Sequence, residues 1–109
     1  MGTELLDKLD QLIRLEEKFL PKFAEGTSQH SLLRNRIQAL RTARKLISEE
    51  GRPAREELEF ALPRIESIIR KASKARDKYE PGSRSYRRFD PTVRAMEQVC
   101  SMLEQKLEG

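Results

Sequence analysis

Zinc chemistry needs three or four Cys, His or carboxylate ligands converging on one point, and this chain holds one histidine and one cysteine. The Glu-x-x-His pairs that build di-iron centres inside helical bundles are absent. Of the acidic residues, only Glu16 falls on an inward helical face. His30 follows a helix start but has no partner that would make it a general base. Cys100 lies beside an apolar helix face, the setting of a small buried hydrophobe rather than an activated thiolate. There is no glycine-rich phosphate loop and no nucleophile motif. These residues predict a protein that is not an enzyme, with no cofactor and no metal site.

The chemistry that the residue types do allow is recognition of negative charge. Five of the six aromatics, Phe19, Phe23, Tyr79, Tyr86 and Phe89, fall in or beside two short segments around Gly26 and Gly82. Interleaved with them are Lys18, Lys22, Lys74, Lys78, Arg84, Arg87 and Arg88. Thr27 and Ser83 stand where helices would start, and free backbone donors at a helix start attract anions. His30 and Tyr86 add a polar or stacking face. Basic residues mixed with aromatics also hold single-stranded nucleic acid by charge and stacking. The competing reading is that lysines in a last turn complement the helix dipole and aromatics plug a bundle end. A second basic feature is the stripe Arg34, Arg41 and Lys45. It reads as an electrostatic footprint for phosphates or an acidic partner, or as an ordinary solvated face.

The elements that must position these residues come in two copies. Shifted by 56, residues 78–96 lie over residues 22–40 without a gap. Lys22 meets Lys78, Phe23 meets Tyr79, Gly26 meets Gly82, Thr27 meets Ser83 and His30 meets Tyr86. Upstream, Leu9, Ile13, Arg14 and Lys18 meet Ile65, Ile69, Arg70 and Lys74. Such a period marks a repeated structural unit. The unit reads as two helices around a glycine turn.

In the first unit, Thr3 is the expected N-cap. Leu5, Leu9, Leu12, Glu16, Phe19 and Phe23 then form one seam, widened by Leu6, Ile13 and Leu20. Pro21 ends or kinks this helix, Gly26 caps it, and Thr27 or Ser28 starts the next, which runs to about Glu49. Arg36 falls within the apolar arc of that second helix. Folding the hairpin at Gly26 brings position 16 level with position 36. A Glu16–Arg36 ion pair, at least half buried, is therefore predicted in the first hairpin alone, since the counterparts are Ala72 and Thr92. In the second unit Pro63 is expected in the first turn of a helix that begins near Phe60, with Ala54 to Glu59 as a separate turn, or inside one that begins at Pro53 and kinks. Asp90–Pro91 is expected as N-cap and first residue of the last helix, after a turn or short helical piece over Ser83 to Phe89.

Short connections make neighbouring helices antiparallel. The fold class is thus all-α, an up-down-up-down four-helix bundle built from a duplicated helical hairpin. It is one domain over residues 1–109, with hairpins over about 3–50 and 53–108. The net charge of +4 makes the chain mildly basic, and 37% of its residues are charged. The absence of a signal peptide or a long apolar run points to a cytoplasmic protein with no membrane partner. The leading functional expectation is a small adaptor that engages a protein partner through a helical face. The alternative is binding of nucleic acid or another polyanion through the basic turn end and the stripe of the second helix.

Overall fold

The computed structural model describes residues 2–48 and 51–109. The Thr3 side chain, expected to cap the first helix, and Glu49, expected to end the second, lie outside the described residues. Four helices follow one another: α1 (Gly2–Phe19), α2 (Ser28–Ser48), α3 (Arg55–Arg76) and α4 (Arg84–Glu108). A 3-10 turn over Leu20–Lys22 follows α1, where the ring of Pro21 removes a backbone donor. No strand occurs among the described residues.

The helices form an up-down-up-down four-helix bundle. Each contributes to one core, in which Leu9, Leu40, Ile65, Met96 and Leu103 are fully buried. Cutting any of these to alanine costs about 2–5 kcal/mol. Helices adjacent in the chain pack broadly, whereas α1 meets α4 over a narrow contact. The bundle is correspondingly flattened, with extents of 39 × 37 × 22 Å.

The two hairpins turn in the same way, atom for atom along the backbone. In the first, Phe23 N–H donates to Leu20 O, Thr27 N–H to Ala24 O and Ser31 N–H to Thr27 O. In the second, Tyr79, Ser83 and Arg87 donate to Arg76, Glu80 and Ser83, each bond displaced by 56. Gly26 and Gly82 have φ of 88° and 85°. Each is the third residue of a four-residue turn closed by the bond to Ala24 or Glu80. That corrects the expectation of a helix cap at Gly26. Because Pro81 cannot adopt positive φ, the second turn is type II, with Pro and Gly at its two central positions.

The start expected for α4 is corrected, and of the two starts open for α3 the chain takes the earlier, just after Pro53. α3 begins at Arg55, where the Ala54 N–H donates to the Glu57 carboxylate at 2.8 Å. Pro63 lies inside it. α4 begins at Arg84, capped by the Ser83 hydroxyl, and Pro91 lies inside it. Both prolines are exposed. Buried Leu58, Ala61 and Ile65 flank Pro63, and Val93, Ala95 and Met96 follow Pro91. Keeping these apolar side chains buried on one continuous face outweighs the lost backbone bond. Asp90 is no N-cap: its carboxylate accepts from Arg76 and Arg94, each at 2.8 Å.

The α1–α2 seam is held by charge as well as packing. Arg36 Nη1 lies 3.7 Å from Glu16 Oε1, with side chains 13% and 19% exposed, as the hairpin register predicts. Arg44 Nε donates to Asp10 at 2.6 Å, and Arg41 pairs with Glu17. The seam is shorter than its sequence pattern. Phe19 and Phe23, expected within it, are 40% and 38% exposed, and Leu32 of the α2 arc is 41% exposed.

Candidate partner-binding edge

The narrow α1–α4 contact leaves one edge of the bundle incompletely covered. Where the two helices meet, Glu4, Leu5 and Lys8 face Pro91, Arg94, Ala95 and Gln98 across a cleft of about 270 Å³. Spacings of three and four extend the α1 side of this cleft to Leu12, Leu15 and Phe19. Leu12 is half-buried, but Leu15 is 51% exposed and Phe19 joins it. The same spacing extends the α4 side back to Arg84, Arg87 and Arg88, all exposed. An apolar stripe on one helix thus runs beside a basic stripe on the other. Sequence periodicity placed Phe19 in the core and gave Leu15 no role. Comparison with the repeat could have separated them, because the counterpart of Leu15 is Lys71 and that of Phe19 is Ala75.

The residues expected at the turn end are placed there by two antiparallel hairpins. Lys18, Lys22, Lys74 and Lys78 are exposed. The Lys22 ammonium lies 4.7 Å over the Phe19 ring. Tyr79 stacks on Phe89 with 6.3 Å between centroids, and Arg88 lies over Phe89 at 5.9 Å. Arg76 covers Tyr86 at 5.3 Å. The aromatics form separate groups, one per hairpin, rather than one stacking platform.

Several of these groups are already engaged. Thr27 Oγ1 accepts from the His30 N–H at 3.2 Å and donates to Ala24 O at 2.7 Å. Ser83 Oγ accepts from the Tyr86 N–H at 3.2 Å. Both hydroxyls therefore serve as caps, which accounts for a hydroxyl residue at each position without a ligand. The His30 side chain is half-buried. Arg87 Nε donates to Gly82 O at 2.9 Å. Arg76 joins Asp77 and Asp90 in an ion-pair network that holds the Asp90 carboxyl below its usual range, mainly through the Arg76 bond.

The α2 stripe is divided in the same way. Arg41 is neutralised by Glu17, while Arg34 and Lys45 are exposed without an ion pair among the described residues. What remains uncompensated is the second turn region. Residues 70–94 carry nine basic and three acidic side chains, and two of those acids are spent on Arg76 and Arg94.

Cys100 donates to Glu104 at 3.5 Å, and burial, then this bond, pushes its thiol up to about 11. Groups of three or more residues able to hold a metal do not occur among the described residues, nor is any helix among them long and apolar enough to cross a membrane. No family model, no curated protein and no solved structure matches the chain.

Proposed function

We propose that this protein is a non-enzymatic adaptor that binds a protein partner along the α1–α4 edge. One observation carries the reading. Leu15 and Phe19 are exposed on the side of α1 that meets α4 only narrowly, where the repeat counterparts are a lysine and an alanine. Burying two large apolar side chains on a partner gains about 1.5–3 kcal/mol for each before the costs of association. A photo-crosslinking amino acid at position 15 tests the reading. A discrete protein adduct is expected from the parent and none from the same probe on Lys45, which lies off the edge. Equal labelling at both positions would reject the edge.

A second reading is favoured by the charge on residues 70–94: nucleic acid or another polyanion binds the basic turn region. Its signature is affinity for random single-stranded RNA that falls steeply with salt. That affinity would drop in Lys74→Ala/Lys78→Ala and persist in Leu15→Lys/Phe19→Ala.

A further inference from the structure

Resting on the adaptor reading, we infer that the occupant of the α1–α4 edge is an acidic amphipathic helix. The argument begins with the repeat. A shift of 56 carries α2 onto α4 and α3 onto α1, so the α1–α4 edge is the counterpart of the α2–α3 interface. In that interface Leu32 and Arg36 of α2 face Pro63, Arg64 and Ser67 of α3, and the two helices pack broadly. The α1 positions equivalent to Arg64, Ile68, Lys71 and Ala75 are Lys8, Leu12, Leu15 and Phe19. The first hairpin thus carries a helix-packing face enriched in apolar bulk relative to its own counterpart, and α4 covers only the far end of it.

An all-helical surface has no open strand edge for an extended peptide to join, which leaves packing of a helix into a groove. Such a helix needs an apolar face to meet Leu12, Leu15 and Phe19. Its flank toward α4 meets Arg84, Arg87 and Arg88, exposed arginines with no ion pair among the described residues. Beyond them Arg94 is paired with Asp90, which also binds Arg76, and shares its cleft with Glu4. The Nη groups of Arg87 remain after its Nε is used, and Arg94 is exposed. Glutamates or aspartates at i, i+3 and i+4 on the incoming helix complement this row. A second copy of the chain fits less well. An isologous contact centred on Leu15 and Phe19 brings two such arginine rows together, and like charges across an interface oppose it.

The test uses two synthetic amphipathic peptides that share one leucine face and one tryptophan, with glutamate on the polar side of the first and lysine on the second. The chain has no tryptophan, so the peptide fluorescence reports binding to the full chain directly. The acidic peptide is expected to bind at least tenfold more tightly than the basic one and to gain helix when bound. Leu15→Lys/Phe19→Ala places the counterpart residues on the edge and should weaken the acidic peptide at least tenfold with unchanged circular dichroism. Arg84→Glu/Arg88→Glu should invert the preference between the peptides. Equal binding of both peptides, or an unchanged Leu15→Lys/Phe19→Ala variant, overturns the inference. So does concentration-dependent dimerisation abolished by that variant, or binding to phosphatidylserine vesicles without binding to the acidic peptide. If a protein adduct forms at position 15 while the acidic peptide fails, the adaptor reading stands and this inference falls. If neither occurs, both fall.

Discussion

Glu16 and Arg36 show how one charged pair inside an apolar seam acts on stability. Their 3.7 Å contact is an ion pair without a hydrogen bond, and Arg36 Nε and Nη2 are buried without a hydrogen-bond partner in the protein. Removing either partner strands the other charge, a cost between the exposed limit of under about 1 kcal/mol and the buried limit of about 3–5 kcal/mol. A double-mutant cycle on Glu16→Ala and Arg36→Ala should show coupling near 1–2 kcal/mol, within that range. The apolar pair Glu16→Leu/Arg36→Met should be neutral or stabilising, since the second hairpin does without the pair. Burial, outweighing the attraction of Arg36 and Lys71, raises the Glu16 carboxyl above its ordinary 4.5. The folded chain therefore keeps this proton to a higher pH than the unfolded chain. Stability contributed by Glu16 is fully present below 4.5 and falls as pH rises through the folded value. Denaturant titrations from pH 4 to 7 should show the parent losing ground to Glu16→Gln; a parent that gains ground would mean that Arg36 dominates. At Cys100, a thiol pushed up to about 11 should alkylate on the order of a hundredfold more slowly than a free cysteine at neutral pH. Mass-spectrometric rates in parent and Glu104→Gln check this, with the variant expected to react faster.

At the scale of the elements, the two turns offer a direct comparison. A Cβ on Gly26 or Gly82 meets no atom within 4 Å, so alanine there is opposed by its positive φ alone. Gly26→Ala and Gly82→Ala should each cost about 1–2 kcal/mol. The two values should agree closely, because the hydrogen bonds around the turns are the same. Thermal unfolding of both variants measures this, and a cost confined to one turn would mean that the equivalence stops at geometry. The prolines act in the opposite direction. Pro63 and Pro91 each withhold a donor inside a helix, so Pro91→Asn, which installs the residue found at the equivalent position 35, should stabilise the chain by about 1 kcal/mol or more. The sequence placed the break at Pro21 and the positive φ of Gly26 and Gly82 where local rules put them. It set the start of α4 too late and left that of α3 open, because Pro and Asp–Pro are local stop and start signals. Burial of Leu58, Ile65, Val93 and Met96 overrode those signals from a distance.

For the whole molecule, the narrow α1–α4 contact sets where the fold is least held and where the proposed partner would bind. α4 buries Val93, Ala95, Met96, Val99 and Leu103, while α1 buries Leu9 and Ile13 among its described residues. Native-state hydrogen exchange should therefore release α1 amides before those of α3 and α4, and a bound partner should slow α1 most. Protection of α1 up to the global limit in the free chain would contradict this. The helices, their pairing into two hairpins, the turn glycines and the Glu16–Arg36 register were determined by the sequence itself. Each depends on spacing along the chain, on residues a few positions apart or on a register counted from one turn. Only the tertiary structure decided that α1 and α4 meet narrowly, that Leu15 and Phe19 stay exposed, and that Asp90 binds Arg76. These outcomes depend on how closely helices distant in the chain approach. That approach is a balance of many small packing and charge terms, which an apolar period does not encode.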